Sequence, residues 1–145
     1  MKKAHKIEVK VRFEFAHRLL NYTGKCNRIH GHTGNVIVTL GADQLNSQGM
    51  IVDFGAVKSM VRGFIDDFWD HSIILNNQDP LIGVLEALYD GPSSYFAVPF
   101  EPTSENLAKY LFDEIDDMSF GPASIQVERV EFQETPVNTA IYERI

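Results

Sequence analysis

The sequence predicts an α+β fold, with one antiparallel sheet covered by helices on a single face. Three observations carry this. Two opening stretches show the two-residue period of half-buried strands, a middle stretch spaces its apolar residues as a helix does, and strand-like alternation returns at the end. The order β-β-α-(α)-α-β-β implies four antiparallel strands. With 145 residues, 44% hydrophobic and 23% charged, the chain fits one globular domain over 1–145.

Ile7, Val9, Val11, Phe13 and Phe15 alternate with Lys10, Arg12 and Glu14, and His17 continues their phase. After a polar loop, Asn21-Tyr22-Thr23-Gly24-Lys25, the residues His30, His32, Gly34, Val36, Val38, Leu40 and Ala42 share one parity. The pair reads as an antiparallel hairpin with a long connection. Asp53 is placed to N-cap the first helix, with Phe54, Val57, Val61, Phe64 and Phe68 as its apolar stripe. Ser72-Ile73-Ile74-Leu75-Asn76 is short and apolar. Asp79-Pro80 opens a second helix reaching about Tyr89, which Asp90-Gly91-Pro92 breaks. Thr103 or Ser104 caps a last helix that buries Leu107, Leu111, Phe112 and Ile115, and Gly121-Pro122 stops it. Ile125 and Val127, then Val130 and Phe132, form a strand whose change of parity predicts a bulge. Thr139 to Tyr142 makes the fourth strand. An open four-stranded sheet has two unpaired edges, so a homo-oligomer joined through them is expected.

The net charge of −7 comes with scattered Lys and Arg, which excludes the basic stripe of a nucleic-acid binder. An anionic ligand would need a local basic pocket or a metal. The single cysteine forms no internal disulfide, which points to a reducing compartment. The opening residues lack the apolar stretch of a signal peptide, and no apolar run approaches the roughly 20 residues that span a bilayer. A cytoplasmic protein with no membrane partner is expected.

The chemistry concentrates around three histidines. His30-Gly31-His32 puts two imidazoles on one strand face, about 6.5–7 Å apart along the chain. Gly31 eases bending and close approach there. His17 ends the neighbouring strand in matching phase. Three neutral imidazoles without an obligatory fourth protein ligand are the pattern of a catalytic zinc site that keeps one position open; the plain alternative is three polar residues at strand ends. Cys26, four residues before His30, admits three readings: a fourth ligand in a closed Cys-His₃ site, a reactive thiol activated by metal and imidazole, or a buried inert thiol. Asp70-His71 reads either as an oriented acid–base pair or as a histidine at a helix C-terminus interacting with its dipole. Glu134, at a strand end, can accept two parallel bonds from an amino-pyrimidine edge, or stand as a rim charge.

Six motifs in order resemble the 6-pyruvoyltetrahydropterin synthase family, which includes the bacterial 6-carboxytetrahydropterin synthases. They are Phe15-Ala16-His17-Arg18-Leu19, Cys26 to His32, Gly49 to Phe54, Asp70-His71 with Leu75-Asn76, Pro102 to Ala108, and Glu134 with Tyr142. The resemblance implies a tunnelling fold whose subunits join their sheets into a barrel, usually a homohexamer with shared active sites. It implies zinc on His17, His30 and His32, a catalytic Cys26, and a proton relay through Asp70 and His71 from a neighbouring subunit. Glu134 would anchor the pterin, with Thr103, Ser104 and Glu105 near the pocket. The substrate would be 7,8-dihydroneopterin triphosphate. Three residues between Cys26 and His30 resemble the carboxy-forming branch, which releases acetaldehyde and triphosphate. Elimination to the pyruvoyl product is the alternative within the family, and a non-enzymatic zinc protein the alternative outside it. The stretch 77–100 is longer than compact bacterial members need and reads as an insertion.

Overall fold

The computed structural model describes residues 2–145. In chain order its elements are β1 (His5–His17), β2 (His30–Ala42), α1 (Phe54–Phe64), β3 (Ser72–Asn76), α2 (Leu81–Tyr89), β4 (Tyr95–Val98), α3 (Ser104–Asp116), β5 (Gln126–Thr135) and β6 (Asn138–Glu143). They build an α+β fold around one sheet, ordered β4-β3-β1-β2-β5-β6. The expected four antiparallel strands are all present, as β1, β2, β5 and β6. The count of four and the purely antiparallel character are corrected, because β3 and β4 extend the sheet by parallel pairing on the far side of β1. The reason lies in Ser72–Asn76. It shows almost no polar–apolar alternation and is buried on both faces, the composition of a parallel strand rather than of a half-exposed one.

The β1–β2 register sets His17 opposite His30 and Phe15 opposite His32. Every residue from His5 to His17 has a partner between His30 and Ala42, so the pairing runs through Gly31 without a bulge. One face of the sheet, here called inner, carries Val9, Val11, Phe13, Val36, Val38, Val130 and Phe132 into the core beneath α1 and α3. The outer face carries Glu8, Lys10, Arg12 and Glu14.

Asp53 caps α1 as expected, its carboxylate accepting from the Gly55 and Ala56 amides. The buried stripe is Val57, Val61, Ile65 and Trp69, whereas Phe54 and Phe68 are exposed. A π-helical stretch, Ile65–Trp69, follows α1 directly and has a wider turn than an α-helix, so residues four apart stay on one face and Trp69 replaces Phe68 against the sheet. Each such fully buried side chain is worth about 1.5–3 kcal/mol of burial.

Thr103 is the cap of α3, whose buried face is Leu107, Ala108, Leu111, Phe112 and Ile115. The bulge expected between Val127 and Val130 sits at Glu128, because Leu40 pairs with Val127 and Thr39 with Arg129. A second bulge falls at Glu134, between the pairs Gln133–Thr139 and Thr135–Asn138. Among the described residues, no helix is long and apolar enough to cross a membrane.

Candidate active site

At the end of the sheet where β1 stops and β2 starts, the three histidines converge. Ligand-competent atoms of His17, His30 and His32 all lie within 4.8 Å of one another, and the ring centroids are 4.6–5.1 Å apart. Two backbone carbonyls settle the tautomers. His17 Nδ1 lies 2.8 Å from the Pro102 oxygen, and His30 Nδ1 lies 2.7 Å from the Arg28 oxygen. A carbonyl only accepts, so both Nδ1 atoms carry a proton, which makes Nε2 the lone-pair atom of each ring when it is neutral. His32 Nε2 is buried with no hydrogen-bond partner. Burial holds the His32 pKa below its ordinary value, and the neighbouring His17 and His30 push the same way against the Glu134 carboxylate. A neutral imidazole is the state a metal requires.

Glu134 turns into this cluster. Its Oε1 is 3.1 Å from His17 Nε2 and 3.6 Å from His32 Nε2. The contact with His17 lowers its carboxyl pKa against the effect of burial, with smaller help from His32 and the Ser104 hydroxyl. A carboxylate oxygen and an imidazole lone pair facing at 3.1 Å repel each other unless a cation or an added proton stands between them. This feature and the orphaned His32 nitrogen make the donor set fit a divalent cation.

Beneath the cluster, Phe15 packs on His17 and His32 at centroid distances of 5.3 and 5.5 Å. Its ring occupies the space a side chain at Gly34 would need, since a Cβ there would come within 2.9 Å of Phe15 Cε1. The close approach that calls for glycine is therefore at Gly34. At Gly31 an added Cβ would make only an ordinary contact.

Cys26 is exposed, on a single 3-10 turn, Lys25–Asn27. Lys25 and Arg28 flank it and line a groove of about 590 Å³ with Tyr22, Thr23 and Asn27. Among the described ion pairs, the basic partners are other residues.

Asp70 and His71 bond each other, the arrangement of an oriented pair. His71 Nδ1 lies 2.9 Å from Asp70 Oδ2, and Asp70 Oδ1 accepts the Glu14 amide at 2.9 Å. The His71 amide donates to the Glu14 oxygen at 2.6 Å, and His71 adopts a left-handed φ of 59° that folds its ring back over Asp70. The hydrogen bond and charge of Asp70 raise the His71 pKa. Burial would raise Asp70, but the Glu14 amide and His71 outweigh it, so its carboxyl lies below the ordinary range. His71 borders a depression of about 450 Å³ whose lining includes Glu14, Ala16, Gly31, Thr33 and Ile73 and which also reaches Phe15 and His32. Among the described residues, no hydrogen bond joins the pair to Cys26 or to the histidines.

Of the other expected residues, Ser104 lies close enough to Glu134 to help lower its carboxyl pKa, Thr103 spends its hydroxyl on the Asn106 amide, and Glu105 is exposed in the first turn of α3. Sequence reasoning missed Arg18, Asp79 and Glu101, which hold the surrounding loops. It also missed where Glu134 points, although Val130, Phe132 and Glu134 share one parity and so one face.

Comparison with known proteins identifies the family and the fold. The family model for 6-pyruvoyl tetrahydropterin synthase matches residues 6–145. The 6-carboxy-5,6,7,8-tetrahydropterin synthase of Rickettsia bellii is 33% identical over 127 residues, 88% of this chain and 91% of the relative. An uncharacterized Wolinella succinogenes protein superposes with a TM-score of 0.84 at 26% identity, covering 97% of this chain and 98% of the other. The Caenorhabditis elegans 6-pyruvoyl tetrahydropterin synthase shares the fold, with a TM-score of 0.67 at 24% identity over 97% of this chain and 96% of its own. With nearly every residue inside the match, the chain belongs to the 6-pyruvoyl tetrahydropterin synthase family.

Proposed function

We propose that the protein is a zinc-dependent lyase converting 7,8-dihydroneopterin triphosphate, with water, to 6-carboxy-5,6,7,8-tetrahydropterin, acetaldehyde and triphosphate. The observation that carries this reading is the three-imidazole cluster with its unpaired His32 nitrogen and facing Glu134 carboxylate. The name of the bacterial relative supports the choice of product, as does the three-residue gap between Cys26 and His30.

His17, His30 and His32 would hold the zinc, which when bound supplies Lewis acidity toward the hydroxylated side chain of the substrate. Cys26 as thiolate removes a proton from that side chain, and His71, oriented by Asp70, gives or takes one. Glu134, with Ser104, anchors the pterin amino edge, and Thr103 and Glu105 border it. Lys25 and Arg28, beside Cys26 in a chain of net charge −7, supply the local positive charge that a triphosphate needs. The histidine cluster sits at the end of the inner face, and no hydrogen bond among the described residues joins the Asp70–His71 pair to it or to Cys26. As the family resemblance implies, the relay serving one Cys26 would come from a neighbouring copy, and the edge strands β4 and β6 are the open borders through which a barrel-forming hexamer would assemble. The protein acts in the cytoplasm as a single domain, with 77–100, comprising α2 and β4, as its elaborated segment.

The test is one incubation of zinc-loaded protein with 7,8-dihydroneopterin triphosphate, with products identified by mass spectrometry. A 6-carboxy product with acetaldehyde bears the proposal out. A 6-pyruvoyl product moves the protein to the eliminating branch of the family. Absence of turnover by protein carrying one zinc per chain refutes the enzymatic reading, and a zinc content that collapses in Cys26→Ala would assign a closed structural site.

A further inference from the structure

We propose that Glu101 is a positioning residue that sets the place of the Cys26 thiol relative to the histidine cluster. The inference rests on the catalytic role proposed for Cys26. The segment 19–28, which leaves β1 immediately after His17 and returns just before His30, carries that thiol. It is closed on itself by three bonds. The Leu19 amide donates to the Cys26 oxygen at 2.8 Å, and Asn27 Nδ2 donates to the Leu19 and Leu20 oxygens at 3.1 and 3.0 Å. A closed ring keeps its own shape, but something must fix it to the sheet.

Glu101 does so. Its Oε2 accepts the Leu20 amide at 2.7 Å, while its Oε1 accepts the Asn21 amide at 3.3 Å, Asn21 Nδ2 at 3.2 Å and Asn76 Nδ2 at 3.0 Å. Every partner is a donor, so the site is built for an acceptor-only group, a carboxylate. Asn76 ends β3, so the same carboxylate ties the ring to the sheet. The backbone of the same corner reaches the rest of the site. The Glu101 oxygen accepts the Thr103 amide at 2.8 Å and Asn106 Nδ2 at 2.9 Å, and the next carbonyl, of Pro102, holds His17 Nδ1. One three-residue corner thus fixes the thiol segment, a candidate metal ligand and the start of α3. A thiol that abstracts a proton tolerates little misplacement, and a displacement of about 1 Å costs on the order of 100-fold in rate.

Glu101→Gln keeps the volume and turns one acceptor into a donor facing donors. Asn27→Asp opens the ring from the other side by turning its donor into an acceptor. Both are compared with wild type for zinc content, melting temperature, kcat, KM and the pH profile of iodoacetamide alkylation, which reports Cys26 alone because the chain has one cysteine. The expected result for each is a fall in kcat of about 10-fold or more and an alkylation profile displaced from wild type. Zinc stays at one per chain and KM within about threefold, because the proposed pterin contacts lie at Glu134 and Ser104. Glu101→Asp, which keeps the carboxylate, should recover part of the loss and serves if the glutamine variant does not fold. Turnover and alkylation both within twofold of wild type in Glu101→Gln (or Glu101→Asp, should Gln not fold) and Asn27→Asp would overturn the proposal. Full activity in Cys26→Ala would instead defeat the catalytic reading of the thiol, while the alkylation comparison, which needs no substrate, still reports its position.

Discussion

Replacing Arg18 with Met should destabilise the protein by about 3 kcal/mol, a value that follows from the burial of one carboxylate. The Asp79 side chain is wholly buried, and Arg18 meets it through two parallel bonds, one of them Nε to Oδ2 at 2.7 Å. The one other bond to Asp79 Oδ1 is the Leu81 amide at 2.9 Å. Without the guanidinium, the carboxylate stays charged without a counter-ion, at about 3–5 kcal/mol, or takes up a proton. Protonation at pH 7 of a group with an ordinary value near 3.9 costs about 1.36 kcal/mol per pH unit, hence about 4 kcal/mol, which bounds the loss. At about 2.1 cal/mol/K per residue, the unfolding entropy is on the order of 0.3 kcal/mol/K, so the melting temperature should fall by about 10 °C. Burial raises the Asp79 carboxyl, but Arg18 and then the Leu81 amide outweigh it and hold it below its ordinary value. The stability it contributes is therefore present above the unfolded value and lost as pH falls through the lower folded one. In Arg18→Met that loss should begin closer to neutrality. The assay is thermal melting of zinc-loaded protein at fixed concentration, for Arg18→Met, Asp79→Asn and the double variant. The double variant should be more stable than the sum of the single losses by at least about 1.5 kcal/mol. A single-variant shift under about 2 °C, or losses that add within about 0.5 kcal/mol, would refute the reasoning.

Asp70→Asn should bring the His71 titration down toward its ordinary value of 6.5, read from the imidazole proton signals by NMR, because the bond and charge of Asp70 are what raise it. An unmoved titration would mean that the pair does not form in solution. Lys25→Ala with Arg28→Ala should raise KM for the triphosphate substrate by about tenfold or more and flatten its dependence on salt. Binding of dephosphorylated 7,8-dihydroneopterin should be left alone. Equal losses for both ligands would place the two cations on the pterin rather than on the phosphates.

The legible part of the site is the part that obeys a period. His17, His30 and His32 fall in phase with the core residues of their strands, so two-residue alternation alone brings them to one face, and the paired strands deliver them together. The same arithmetic reaches Glu134 through Val130 and Phe132, once the bulge at Glu128 has reset the count. What the bulge at Glu134 does next, by releasing the chain from its pairing with β6, is no property of a period. The short parallel strands were illegible for the opposite reason. Ser72–Asn76 is buried on both faces and has hardly any alternation to read. The corner around Glu101 carries no pattern at all. Its role depends on donors 20 and 21, at the other end of the domain in sequence, and on Asn76, whose nearness arises only after β3 has paired with β1. The His71 conformation belongs to the same class, since its positive φ goes with an amide bonded to the Glu14 oxygen, a partner 57 residues away in sequence. The metal ligands are thus specified by local periodicity. The groups that aim them, and the proposed thiol and relay, are specified by tertiary pairing, so a substitution in a connecting segment can disable this site while every residue of its motifs stays in place.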